Sequence, residues 1–201
     1  MAINLQKGQR VDLTKGNKGL SRILVGLGWD PVKKSGGGLL GGLFKGPSAE
    51  IDCDASVLML GANDIFRKKE DLIYYGNLRS PNGSVVHTGD NITGEGEGDD
   101  EQIIIELNLI PADVQKLVFV VNIYDCVRRK QDFGLIENAF IRAVNGGSNE
   151  ELIRYNLSDN YAGKTTLVAG EIYRSNDEWK FAAIGEGTHD ASLSEIVNRY
   201  R

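Results

Sequence analysis

The chain of 201 residues reads as an all-β protein on three observations. Its apolar residues come in short runs of strand length, several alternating with period two. Gly, Pro, Asn and Asp punctuate those runs at turn positions, and two pairs of runs are joined by connections short enough for hairpins. A hydrophobic share of 41% is that of a globular rather than a disordered chain. The length suits a single domain over residues 1–201 with a substantial core.

AINLQKGQRVDLTK predicts two short strands around Lys7-Gly8, with Ile3 and Leu5 alternating on one side and Val11 and Leu13 on the other. SRILVGLGW, within residues 20–29, is a buried strand closed by Asp30-Pro31. Residues 35–47 hold six glycines and read as a flexible insertion. They are not a phosphate-binding loop, because Leu43 follows Gly42 where that loop needs Lys. Leu39, Leu40, Leu43 and Phe44 fall at helical spacing, which suits packing on a neighbouring surface or a second subunit. In AEIDCDASVLML, Cys53, Ala55, Val57 and Met59 share one strand face, while Asp52, Asp54 and Ser56 begin the other before Leu58 and Leu60.

Residues 71–78 predict a strand and residues 80–84 a turn. Residues 85–88 and 102–107 are strands on either side of an acidic loop. Residues 111–115 are a helical turn at most. KLVFVVNIYD, the most continuous apolar run, is the central strand. The RRK triplet within residues 128–132 is too short to bind nucleic acid. Residues 140–145 and 151–157 form a hairpin across NGGSNE, and residues 165–174 and 178–184 form another across Ser175-Asn176-Asp177. Trp179, Phe181 and Ile184 belong to the core. With Asp190 as N-cap, Leu193, Ile196, Val197 and Tyr200 line one face of a C-terminal helix, which covers an open end of the fold or, alternatively, binds a partner.

The informative stretch is GDNITGEGEGDDE, residues 89–101. It carries six carboxylates, Asp90, Glu95, Glu97, Asp99, Asp100 and Glu101, together with the neutral oxygens of Asn91 and Thr93, and no base. The whole chain has 28 acids and 23 bases, so without those six the balance is nearly neutral and the acidity is local. Unit charges about 4 Å apart repel by roughly 4 kcal/mol at intermediate dielectric. Such a loop is comfortable either extended in water, as a plain acidic turn, or wrapped around a cation.

Its hard oxygen donors suit Ca²⁺, which takes about 6–8 oxygens in flexible geometry, better than Mg²⁺. Without His or Cys it suits neither Zn²⁺ nor Cu. It is not an EF-hand: Ile92 and Gly94 stand where ligands belong, Glu95 replaces the turn glycine, and both flanks are strands. Asp52 and Asp54 either cap an exposed strand end or reach the cation from beside the loop.

Catalytic motifs are sparse. His87 and His189 stand beside no recognisable nucleophile motif, and HExxH, a P-loop and a dinucleotide fingerprint are missing from the sequence. The expectation is that the chain is not an enzyme. The alternative, a metal-dependent hydrolase or phosphotransfer enzyme using paired acids such as Asp99 and Asp100, ranks last. A net charge of −5 argues against duplex nucleic acid as a partner. Cys53 and Cys126, far apart and without CxxC spacing, read as buried thiols of a reducing compartment. With neither a signal peptide nor a membrane span in sight, the expected location is cytoplasmic.

GDNITGEGEGDDE, together with LQKGQRVDLTK, IDCDAS, GSVVHTGDN, VVNIYD, FGLIENAFIRAVN and GEIYRSNDEWKFAAIGEG, resembles the TerD family of bacterial tellurium-resistance and stress-response proteins over roughly residues 5–200. The family motif has Arg or Leu where Ile92 stands, a departure that removes no oxygen ligand. The resemblance implies a β-sandwich of two mostly antiparallel sheets with short peripheral helices, and adjacent calcium sites held by loops. Because a DxDxS segment accompanies the family's loop motif, it also moves Asp52 and Asp54 into the ligand set. The expected site is then one or two Ca²⁺ ions held among Asp52, Asp54, Asp90, Asn91, Glu95, Glu97, Asp99, Asp100 and Glu101. The expected role is a calcium-stabilised interaction module, with other stress-response proteins or a membrane-associated complex as partners. The resemblance implies no settled biochemical activity.

Overall fold

The computed structural model describes residues 2–32, 51–89 and 98–201. Their strands are β1 (Ile3–Leu5), β2 (Arg10–Asp12), β3 (Arg22–Pro31), β4 (Cys53–Leu60), β5 (Leu72–Ile73), β6 (Val85–His87), β7 (Glu101–Glu106), β8 (Lys116–Ile123), β9 (Ile136–Asn145), β10 (Glu151–Asn156), β11 (Thr166–Ser175) and β12 (Glu178–Thr188). Two short helices accompany them, α1 (Cys126–Arg129) and α2 (Leu193–Asn198). The strands form two six-stranded sheets, ordered β1-β10-β9-β3-β7-β6 and β2-β12-β11-β8-β4-β5. Every pairing is antiparallel except β1 with β10. The fold is the expected β-sandwich.

The first two strands part at Lys7-Gly8, where Gly8 adopts φ 81°, a conformation costly for any residue with a Cβ. The chain thereby places β1 at an edge of one sheet and β2 at an edge of the other. The β11–β12 hairpin turns through Asn176 and Asp177 at φ 51° and 63°, the two positive values that a two-residue turn matched to strand twist requires. β8 lies inside its sheet between β4 and β11, as its continuous apolar run predicts.

Between the sheets, Val25 and Leu27 of β3 and Ile103 and Ile105 of β7 meet Val57 and Met59 of β4, Phe119 of β8 and Phe181 of β12. Each such side chain contributes roughly 1.5–3 kcal/mol by leaving water. The alternation predicted for β4 holds: Cys53, Ala55, Val57 and Met59 face this core, while Leu58 and Leu60 face outward into a second cluster with Val118, Val120 and Val168.

That outward apolar face decides where α2 goes. Ile196 and Val197 are buried against Leu58, Leu60, Val118, Val120 and Val168, so α2 covers the outer face of the second sheet, not an open end of the sandwich. Its N-cap is Ser192, whose hydroxyl accepts the Glu195 N–H at 3.3 Å, and not Asp190. The strand expected over residues 71–78 shortens to β5. Beyond it, Tyr74 and Asn77 exchange backbone hydrogen bonds at 3.1 and 2.9 Å across a turn. Tyr74 folds its ring so closely over Gly76 that a Cβ there would lie 2.7 Å from it. Helix α1, four residues long, is too short for periodicity to reveal. The Gly-rich segment falls outside the described residues.

Tyr200, under the edge of the α2 cluster, has its hydroxyl pushed up to about 12, by burial first and then by Glu171 and Glu186. Burial also raises Tyr155 and Tyr161. An unfolded tyrosine ionises near 10, so between roughly pH 10 and 12 the folded chain keeps protons that the unfolded chain has lost. Stability must fall as pH rises through that window, at about 1.4 kcal/mol for each unit of difference. Urea midpoints measured from pH 9 upward are expected to fall above pH 10, and less steeply in Tyr200→Phe.

Candidate metal centre

Asp99, Asp100 and Glu101 are consecutive, yet the structure points them three ways. Asp99 lies flat across the outer face of the first sheet. Gln102, Gly26 and Arg142 form one cross-strand row there, Gly26 pairing with Gln102 on one side and Arg142 on the other. Arg142 grips the Asp99 carboxylate with both arms of its fork, Nε to Oδ1 at 2.7 Å and Nη2 to Oδ2 at 2.9 Å, and Gln102 Nε2 donates at 3.0 Å. A Cβ on Gly26 would sit 2.2 Å from that carboxylate, so the row needs glycine at its centre. The Asp99 side chain is 0% exposed. A bidentate guanidinium is the geometry that makes such burial tolerable. Arg142 also donates to Glu151 at 2.9 Å, and the two acids hold its pKa above the ordinary value, Asp99 foremost.

Asp100 turns toward the end of β3. Its N–H donates to Leu27 O at 2.8 Å and its Oδ2 accepts the Trp29 N–H at 2.7 Å. Burial is the main cause that pushes this carboxyl up. The Trp29 N–H opposes it, and the charges of Asp30 and Asp99 add to the rise. Asp30, at the end of β3, accepts from Asn138 Nδ2 at 2.9 Å.

Glu101 points between the sheets and is 2% exposed. Its Oε2 takes the Ala55 N–H of β4 at 2.6 Å and lies 3.1 Å from His87 Nε2. Among the described residues β5 pairs with β4 only at Val57 and Leu58, and at Ala55 it is Glu101 that supplies the acceptor. His87 Nδ1 accepts the Gly89 N–H at 3.2 Å, which leaves the ring proton on Nε2, aimed at Glu101. One carboxylate thus joins the two sheets at the mouth of the acidic loop.

Asp54 takes the opposite face of β4 from Cys53, and Asp52 immediately precedes the strand. The Asp52 main chain accepts from Tyr124 N at 2.7 Å, and its carboxylate lies 3.6 Å from Arg129. Asp54, 3% exposed, lines a cleft with Tyr75, Tyr124 and α2. Between the two acids' stems, Cys53 is buried, and its thiol is pushed well up by burial and then by Asp54, Asp52, Glu101 and Asp100. Burial and that shift both disfavour the thiolate, the reactive form.

Asp90, Asn91, Glu95 and Glu97 lie outside the described residues. Among the described residues, no three His, Cys, Asp or Glu side chains converge enough to hold a metal ion. The chemistry of Asp100 nevertheless suits a hard cation, since its carboxylate is an oxygen donor whose charge burial and the neighbouring Asp30 and Asp99 make costly. Asp30 and Arg142 were missed from sequence. Asp30 reads as the residue that closes a strand before Pro31. The signal for Arg142 was a single base inside an otherwise apolar stretch, FIRAV.

The family model for the TerD domain matches residues 1–200. This chain belongs to the TerD family. Stress response protein SCP2 of Bacillus subtilis is 64% identical over 200 residues, covering 100% of both chains. Tellurium resistance protein TerD of Serratia marcescens is 42% identical over 200 residues, covering 100% of this chain and 97% of its own. The crystal structure of a TerD homologue from Streptomyces coelicolor A3(2) superposes with a TM-score of 0.65 at 20% identity, covering 89% of this chain and 96% of that one. At that identity it supports the TerD sandwich alone. No helix among the described residues is long and apolar enough to cross a membrane.

Proposed function

We propose that this TerD protein is a cytoplasmic calcium-binding module of the stress response, a binding protein and not an enzyme. The observation that carries the reading lies at the loop's return: burial and the nearby charges of Asp30 and Asp99 make the charge on Asp100 costly, and of these three acids Arg142 grips Asp99. In this reading Asp100, with Asp30 beside it, and the loop donors Asp90, Asn91, Glu95 and Glu97 hold one or two Ca²⁺ ions. Glu101 fixes the site to both sheets. The ion supplies positive charge where like charges gather, and the chain's residues supply a frame already ordered by the Trp29, Ala55 and Arg142 contacts. The loaded loop then presents a fixed surface to other stress-response proteins or to a membrane-associated complex. The names of the relatives, stress response and tellurium resistance, support that setting.

A ligand that binds only the folded state stabilises it by RT ln(1 + [L]/Kd), about 2.7 kcal/mol at a hundredfold excess over Kd. Millimolar Ca²⁺ is expected to raise the melting temperature by several degrees over chelator, with Mg²⁺ giving far less. Superimposable melting curves in chelator and in calcium would overturn the reading.

A further inference from the structure

On the outer face of the second sheet, beyond α2, lies a cleft of about 570 Å³, within the range of small-molecule sites. Its floor is Asp54 and Asn122, paired across β4 and β8. Asp54 is only 3% exposed, although it stands on a face otherwise made of Ser56, Leu58 and Leu60. Its wall is aromatic: Tyr75 meets Tyr74 edge-on at 5.2 Å and Tyr124 at 6.5 Å. Tyr75 and Tyr124 are 45% and 44% exposed, large rings left open to solvent around a buried acid. Lys69 and Arg201 also line the cleft, and among the described residues neither forms an ion pair.

A carboxylate at the bottom of a tyrosine-walled cleft recognises an ammonium group, by charge from below and by the negative faces of the rings from the side. A bare cation would be opposed by Lys69 and Arg201, whereas a ligand carrying its own anion would pair with them. The geometry points to a second, metal-independent site that binds a zwitterion: an ammonium held by Asp54, Tyr75 and Tyr124, joined by a short spacer to a phosphate or carboxylate held by Lys69 and Arg201. Asp54 is then the counter-ion of this cleft and stands outside the calcium set. Arg129 stacks on the Tyr124 ring, 5.3 Å from its centre.

The test uses the full chain and the probes phosphocholine and phosphoethanolamine, with choline and inorganic phosphate as half-ligands, followed by amide NMR shifts. Saturable binding of at least one zwitterion is expected, with shifts at residues 74–75, 122–125 and 192–198. Each half-ligand should bind at least about tenfold more weakly. Asp54→Asn and the surface variant Tyr124→Ala should each weaken the zwitterion by about tenfold or more. Lys69→Ala should weaken the zwitterion but not choline, which loses a repelling charge and should bind at least as well. Vesicles carrying the same headgroups separate a lipid source from a free metabolite: co-sedimentation assigns the lipid, and its absence alongside binding of the free probe assigns the metabolite. Failure of both zwitterions to saturate at millimolar concentration would overturn the proposal. So would loss of calcium binding in a folded Asp54→Asn, because Asp54 would then be a metal ligand; an unchanged calcium titration in that variant supports it.

Discussion

Glu101→Ala is expected to cost about 3–5 kcal/mol when unfolding is measured in chelator, the range for removing one partner of a buried charged network. The loss has identifiable parts. The Ala55 N–H, which Glu101 accepts at 2.6 Å, is left without that acceptor. His87, its side chain 0% exposed, loses the carboxylate at 3.1 Å. An abandoned buried donor alone costs roughly 1–3 kcal/mol. Glu101→Gln keeps an oxygen for Ala55 and is expected to recover part of the loss. Chelator keeps any bound ion from entering the comparison, so equal stability of wild type and Glu101→Ala under those conditions would show that the two sheets are not tied through this residue.

Arg142→Met is expected to lower stability by about 2–3 kcal/mol, below the full range for a stranded buried charge. The reduction follows from exposure: the Arg142 side chain is 28% exposed, so water reaches Asp99 once the guanidinium is gone. Asp99→Asn in the same background should restore part of the loss, because the amide carries no charge to strand. The double-mutant cycle reads the coupling directly. Additive effects of the two substitutions would mean that the fork grip contributes nothing.

The alternation in residues 53–60 placed β4 correctly because a period of two assigns each side chain to a face without knowledge of the partner strands. The Asn176-Asp177 turn was equally legible, since only a few residue types accept two successive positive φ values. The acidic loop was legible as a concentration of charge, but the directions of its last three acids were not. Asp99 reaches Arg142 only because β3, β7 and β9 bring Gly26, Gln102 and Arg142 into one row. The residues that complete that row are 73 and 43 positions from Asp99 for Gly26 and Arg142, and spacing alone cannot align them.

Asp30 escaped notice for a related reason, since β3 was expected to stop at Trp29, whereas its pairing continues through a bulge between Gly28 and Asp30 to Pro31. The expectation that Asp52 and Asp54 belong with the loop acids rested on family resemblance, and the loop acids Asp90, Glu95 and Glu97 lie outside the described residues; the strand alternation that puts Cys53 in the core gives Asp54 the other face of β4. For α2, the sequence showed the apolar stripe but not its counterpart. Leu58, Leu60, Val118, Val120 and Val168 become one surface only when β4, β8 and β11 are side by side.

Calorimetric titration of the metal-free chain with Ca²⁺ tests the central claim most directly. Saturable binding of one or two ions is predicted, weakened in Asp100→Asn, whose carboxylate carries a charge made costly by burial and by Asp30 and Asp99. A flat titration with wild-type protein shown to be folded would contradict the account, and would leave the acids as a solvated turn between β6 and β7.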